Sequence, residues 1–395
     1  SYVTGTSTTI GLLDIVTIKY GPNGTPLWKK TYNGPAGSTD APTAIAVDKN
    51  GNVYVAGITP NVDPNKGTDF VTLKYGPTGK LLWDRTYDGP NHKADGATAL
   101  AVDAGGNVYV TGASDPTGLG NTDIVTLKYD SSGKLIWDKR YDGPSKLVDA
   151  PTCIALDKDG SVFVAGSSTG SRTTLQDLVV IKYLPNGDNP WVTRFDGPSH
   201  VTDLARGIVV NQAGEIFVTG DATRSTGQDV VTIKFNTAGN KEWAVYYDGT
   251  AKGLDTGKAI ALDSKGNVIV GGDTSTTDYD LNYIVIKYSP TGGPIWKKQY
   301  DGPTHGVDQV RGLVVSPQDN IYVTGTSYDT EDVGDIVTLK FAGNGTKVWT
   351  KRYDSPVKNQ DAAWGIALGG TGVYITGYSY TPETWEDYVT IRYEQ

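Results

Sequence analysis

The segment "TAIAVDKNGNVYVAG" (residues 43–57) carries the pattern that the rest of the chain follows. Short runs in which apolar and polar residues alternate are cut by Asp/Asn-Gly pairs. Alternation with period two, rich in β-branched and aromatic residues, predicts strands, and the intervening Asp-x-x-Gly predicts a tight hairpin turn. Two more such runs follow, so a unit holds four: A ("TAIAVD", 43–48), B ("GNVYVAG", 51–57), C ("DFVTLKY", 69–75) and D ("LLWDRTY", 81–87). The links are too short for parallel crossovers, so the four strands are expected to be antiparallel.

The unit recurs. Trp28, Trp83, Trp137, Trp191, Trp243, Trp296 and Trp349 follow one another at intervals of 52 to 55 residues. A period of this size means stacked supersecondary units. Four antiparallel strands per period describe the blade of an all-β propeller; a solenoid would have shorter coils and parallel strands. The chain contains seven A, eight B, eight C and seven D runs. From Pro26, seven D-A-B-C cycles fill residues 26–393 of a single domain, 1–395. This favours seven blades, with the first D run (26–32) completing the last blade and residues 1–22 forming an extra B-C hairpin. Eight blades are the alternative, in which one innermost strand would be missing.

The segment "DIVTLKYDSSGKLIWDKRYDGP" (123–144) resembles the SBBP-type propeller repeat, and the resemblance extends over essentially the whole chain. "YGPTGKLLWDRTYDG" (75–89) is also similar to the tryptophan-docking repeat of quinoprotein propellers. That similarity implies that the glycine makes the C–D turn and that the tryptophan packs between neighbouring blades. It stops at the docking repeat. Quinoprotein dehydrogenases often use a neighbouring cysteine pair, and this chain has a single cysteine, so no cofactor is expected.

Composition narrows the partners. The net charge of −9 argues against nucleic acid, whose binders carry basic patches. No apolar run approaches the ~20 residues of a spanning helix, so membrane insertion is not expected. Nothing at the start resembles a signal peptide. The chain has no methionine and opens at "SYVTG", inside a repeat, which suggests a processed or excised product. Cys153 replaces alanine in "TCIALD" and reads as a small buried residue, not a nucleophile. Scarce cysteine and histidine, with Asn-Gly-Thr sequons at Asn23 and Asn344, point to an extracellular or cell-surface location.

Candidate chemistry concentrates at one end of the strands. The A–B and C–D turns are uniform and read as scaffold. Asp/Asn-Gly pairs in the A–B turns faintly suggest calcium loops, but read better as hairpins with glycine at positive φ. The B–C loops vary, as in "ASDPTGLGNT" (113–122), "SSTGSRTTLQ" (167–176) and "YSYTPETWE" (378–386), and the later ones gather Tyr279, Tyr328, Tyr378, Tyr380 and Trp385. The D–A loops carry an aspartate in every unit: Asp40, Asp95, Asp149, Asp203, Asp255, Asp308 and Asp361. Three residues earlier stand Gly37, His92, Lys146, His200, Lys252, His305 and Lys358. The aspartates are expected to fix the loops by accepting backbone N–H bonds. The basic residues either pair with aspartate inside each loop or form a cationic funnel that depends on pH. Histidines in alternate blades stand too far apart to share a metal, and no metal site is expected. Three residues after each aspartate, Thr43, Thr98 and Thr152 give way to Arg206, Lys258, Arg311 and Trp364. Arginine can grip a carboxylate or sulfate and tryptophan can stack on a sugar, so this half-basic row is the best binding candidate. Its bland alternative is pairing with neighbouring aspartates.

These features favour a noncatalytic, extracellular propeller that binds a carbohydrate or protein partner at the B–C/D–A face. The alternatives are an assembly subunit joined by strand exchange through the N-terminal hairpin, and a quinoprotein-like or carbohydrate-active enzyme. No catalytic pair of carboxylates or serine triad stands out to support the enzyme.

Overall fold

A computed structural model describes residues 1–9, 12–170, 175–277, 280–330, 333–381 and 385–395. The chain is all-β and folds as a propeller of four-stranded antiparallel blades. It divides into two compact units, residues 1–196 with 200–202, and residues 197–199 with 203–395. Each unit holds four sheets. The second sheet shows the pattern: A Ala41–Val47, B Val53–Pro60, C Thr68–Tyr75 and D Leu81–Tyr87, hydrogen-bonded in that order.

The described residues form eight sheets, the alternative number and not the favoured seven. The first D strand, Pro26–Tyr32, does not complete the last sheet. It pairs with Leu12–Tyr20 in the register Val16↔Thr31 and Lys19↔Trp28. Within the expected surplus hairpin, 1–22, Tyr2–Thr9 and Leu12–Tyr20 are therefore strands B and C of the first sheet. A five-residue C–D turn closes this hairpin with far less loss of chain entropy than pairing with residues hundreds of positions away. Consequently the first sheet lacks an A strand, and the last, Asp361–Gly369, Gly372–Thr381 and Trp385–Glu394, lacks a D strand. The seven A, eight B, eight C and seven D runs read from the sequence all appear as strands.

The middle strands depart from simple alternation. Asp123–Tyr129, the C strand of the third sheet, is buried at every position. A sheet packed on both faces leaves neither set of side chains for water, so polar members of the pattern such as Thr126 are enclosed too. Thr126 sits within reach of the Thr111 hydroxyl, which donates to the Val125 carbonyl at 3.0 Å. The cores lie between sheets. Tyr54, Phe70 and Trp83 of the second sheet pack with Val108, Val110, Val125 and Leu127 of the third.

The repeating tryptophans join each sheet to the next within a unit. The Trp83 indole N–H donates to the Ser131 carbonyl in the C–D turn of the following sheet at 3.3 Å. Trp28, Trp137, Trp243 and Trp296 do the same to Pro77, Pro185, Pro290 and Gly343 at 3.1 to 3.3 Å. Each turn carries a glycine whose missing side chain admits the ring. At Gly133, φ is +85°, and a Cβ would stand 2.8 Å from the Trp83 indole. The ring also lies between Tyr54 of its own sheet and Tyr129 of the next, with centroids 6.3 and 6.1 Å away. Lys74 completes the joint. Its ammonium stands over the Tyr54 ring at 5.1 Å and donates to the same Ser131 carbonyl at 2.8 Å.

Trp83→Ala should remove about 3–5 kcal/mol, as expected for a large buried aromatic. Chemical denaturation of the variant checks this. Gly133→Val should destabilise comparably, since its side chain would enter the ring's space in an unfavourable backbone conformation.

Candidate functional site

The D–A loops are built identically around a buried carboxylate. Asp40, Asp95, Asp149, Asp203, Asp255, Asp308 and Asp361 are all at most 1 % exposed. Each accepts the backbone N–H six residues earlier, from Gly34, Gly89, Gly143, Gly197, Gly249, Gly302 or Ser355, at 2.5 to 2.7 Å. Burial raises the carboxyls of Asp95, Asp149, Asp255 and Asp361 above the ordinary range, and that of Asp308 to about 6. The serine or threonine hydroxyls beside them and the accepted N–H bonds pull in the opposite direction.

The basic position has a backbone reason. Gly37, His92, Lys146, His200, Lys252, His305 and Lys358 all have φ between +50° and +56°. This left-handed conformation closes the turn, and in the first loop glycine occupies it without steric cost. The side chains turn to an aspartate four residues earlier, in the "YDGP" part of the motif. His92 Nδ1 meets Asp88 at 2.6 Å, and Lys146 meets Asp142 at 2.7 Å. His200–Asp196, Lys252–Asp248 and His305–Asp301 repeat this at 2.6 to 2.8 Å. The Asp301 carboxylate raises the His305 imidazole above its usual range. These are exposed pairs at separate loop tips, each worth about 0–1 kcal/mol. Among the described residues, no cluster of three or more candidate metal-binding side chains includes a histidine.

The row at Thr43, Thr98, Thr152, Arg206, Lys258, Arg311 and Trp364 proves to be a row of β-bulges. In every A strand the pairing with B skips this residue: Pro42 and Ala44 pair with Gly57 and Ala56, while Val310 and Gly312 pair with Gly325 and Thr324. The same shift flanks Thr98, Thr152, Arg206, Lys258 and Trp364. A bulge frees its residue from the ladder and re-aims its side chain. In the first unit, Thr43 and Thr152 return their hydroxyls to the B-strand carbonyls of Ala56 and Ala165 at 3.3 and 3.1 Å. Long side chains in the second unit cannot do this.

Within that second unit the four side chains find different partners. Arg206 forms an ion pair with buried Asp221, whose other contacts include the Gln228 amide. Lys258 binds buried Asp273 at 2.7 Å. Burial raises the Asp273 carboxyl against the pull of Lys258, the Val310 N–H at 2.7 Å and the charge of Arg311. Arg311 lies over the Trp364 ring, 5.3 Å from its centre, and the indole is 63 % exposed. The bland expectation therefore describes Arg206 and Lys258, whose charges are balanced. Arg311 and Trp364 form a cationic, aromatic platform facing water.

Other expectations fall elsewhere. Tyr328, Tyr378 and Tyr380 belong to strands, because the B strands Ile321–Thr330 and Gly372–Thr381 extend to ten residues. Tyr279 and the side chain of Trp385 lie outside the described residues, as do residues 171–174 and 382–384 of two variable loops. Burial pushes the Cys153 thiol up to about 12, which suits a packed residue and not a nucleophile. In the A–B turns, Asp48 is occupied by its own turn, accepting N–H bonds from Asn50 and Asn52 at 2.8 and 2.9 Å.

The repeat has relatives among known proteins. The family model of the SBBP β-propeller repeat matches residues 30–59. Residues 30–59 carry the SBBP β-propeller repeat. The chain is 23 % identical over 447 aligned positions to the uncharacterized WD repeat-containing protein L264 of Acanthamoeba polyphaga mimivirus, an alignment covering 88 % of this chain and 30 % of that one. It is 28 % identical to the regulatory protein FlaEY of Caulobacter vibrioides over 45 % of this chain and 20 % of that one. The chain thus spans less than a third of either relative. Among solved structures, it resembles dihydro-heme d1 dehydrogenase NirN with a TM-score of 0.57 and 12 % identity, covering 99 % of this chain and 70 % of that one. The propeller domain of the trilobed protease from Pyrococcus furiosus gives a TM-score of 0.50 at 9 % identity, covering 90 % of this chain and 95 % of that domain. At these identities the likeness concerns the fold.

Asp255→Ala should cost about 1–3 kcal/mol, because the buried Gly249 N–H loses its acceptor; urea unfolding measures it. The raised carboxyl of Asp308 also gives a pH dependence with a definite sign. Between pH ~4 and ~6 the folded state holds the proton more tightly than the unfolded chain does. The stability contributed by protonated Asp308 is therefore complete below pH ~4 and lost as pH rises through about 6. Asp308→Asn should flatten the urea midpoint in this window.

Proposed function

We propose that the protein is a noncatalytic binding propeller, working outside the cell or at its surface, that holds an acidic carbohydrate on the platform of Arg311 and Trp364. The exposed indole under a guanidinium carries this reading. A 63 % exposed tryptophan is a large apolar surface left in water, and stacking on a sugar ring would cover it. The guanidinium beside it can grip a uronate carboxylate or a sulfate through two parallel hydrogen bonds. A bulge, which re-aims side chains and recurs near functional sites, supports the same view. Dehydrogenase activity belongs to NirN itself and does not pass to this chain with a shared fold.

An array of uronate-bearing and sulfated glycans tests the reading. Retention of a member of either class is expected, with affinity at least ~10-fold lower for Trp364→Ala and Arg311→Ala. Arg206→Ala should matter little, because Asp221 and Gln228 already engage that side chain. Failure to retain any glycan, or retention indifferent to both substitutions, rejects it.

A second reading, assembly by strand addition, is favoured by one observation. The first strand, Tyr2–Thr9, and the last, Trp385–Glu394, each stand at the edge of a three-stranded sheet. Such edges can accept a strand from another chain. Sedimentation velocity would show concentration-dependent association, and a monomer at all concentrations removes the idea.

A further inference from the structure

We propose that Asp69, Asp88 and Asp95 form a binding site for a calcium ion. The three residues come from the start of a C strand, the D–A connection that follows it, and the start of the next A strand. One carboxylate oxygen from each lies within 4.8 Å of the others. Two oxygens that share one calcium at the usual ~2.4 Å can be at most ~4.8 Å apart, so the spacing suits a common ion.

A cluster of acids alone would mean little, but here buried oxygens lack donors. Asp69 is 7 % exposed; its Oδ2 accepts the Asn61 amide at 3.1 Å, while its Oδ1 is buried without a hydrogen-bond partner. Asp88 repeats this arrangement. Its Oδ2 meets His92 at 2.6 Å and Lys66 at 3.8 Å, and its Oδ1 is buried without a partner. Asp95 spends Oδ2 on the Gly89 N–H at 2.6 Å, and its second oxygen lies towards the Ser114 hydroxyl.

Buried oxygens without a hydrogen-bond partner recur in the equivalent clusters, at Asp149, Asp229, Asp248 and Asp361; what sets this trio apart is the missing arginine. Asp123, Asp142 and Asp149 form the same trio, as do Asp229, Asp248, Asp255 and Asp335, Asp354, Asp361. In each of these an arginine holds the C-strand carboxylate: Arg140 on Asp123 at 2.9 Å, Arg224 on Asp229 at 2.8 Å and Arg352 on Asp335 at 2.7 Å. Arg140 and Arg352 occupy the register position opposite Val125 and Val337, where the second sheet has Thr86 opposite Val71. Threonine is too short and carries no charge. A dication supplies what the guanidinium supplies elsewhere. All-oxygen donors select a hard cation, and the remaining coordination comes from water entering past Asp88, whose side chain is 25 % exposed.

Calorimetric titration of the chelator-treated whole chain with calcium chloride at neutral pH tests the site, alongside thermal melts with and without the ion. One saturable site per chain and a Tm higher by a few degrees at saturation are expected. Asp69→Asn and Asp88→Asn, nearly isosteric, should each weaken binding at least ~10-fold, while Asp123→Asn in the arginine-paired trio should leave it intact. The assignment is overturned if the wild-type chain gives neither saturable heat nor a Tm shift. It is equally overturned if both trio variants bind like wild type, or if Asp123→Asn abolishes binding.

Discussion

Everything in this molecule depends on an indole laid across a glycine. Each D strand ends its sheet with an exposed edge, and a sheet on its own would leave both faces partly wet. The tryptophan solves both problems by reaching over the next sheet's C–D turn, where glycine at positive φ leaves room for the ring and a carbonyl takes the indole hydrogen. The interaction is directional as well as apolar: a hydrogen bond of 3.1 to 3.3 Å sets the angle between sheets, while tyrosines on both sides supply buried area. Large ring and absent side chain are complementary, so neither can change alone.

With sheet-to-sheet geometry fixed in this way, the D–A connections need only hold themselves. They do so with a buried carboxylate on a backbone N–H and a left-handed residue that closes the turn. The left-handed position explains why glycine, histidine and lysine can share one place: the fold asks for a conformation there, and the exposed side chain is free to differ. The carboxylates are costlier. Several lie close together, and most trios in the described residues relieve their mutual repulsion with arginine. The second sheet does not.

The period, the four strands, their number and the role of the tryptophans are legible in the sequence because each is a local pattern repeated many times. Blade number is not, because Pro26–Tyr32 fits either sheet by composition; only the short turn before it decides. The aspartate braces are readable from their regular spacing. The partner of His92, by contrast, is Asp88, which stands in the same motif but on the other side of the loop from the aspartate that aligns the repeats. The bulges leave a trace only in the change from threonine to Arg206, Lys258, Arg311 and Trp364, since pairing register depends on the neighbouring strand. The meeting of Asp69 with Asp88 and Asp95 joins three separate segments and has no signature along the chain.

The bulge has a consequence for how such a surface can change. A residue outside the ladder contributes no cross-strand backbone pair, so side chains of different size fit one backbone there, although Arg206 and Lys258 also hold the buried Asp221 and Asp273. Thr43, Thr98, Thr152, Arg206, Lys258, Arg311 and Trp364 already span small, cationic and aromatic side chains on one unvarying frame. They amount to seven sockets into which different chemistries can be plugged, making the scaffold suited to combinatorial libraries for new recognition.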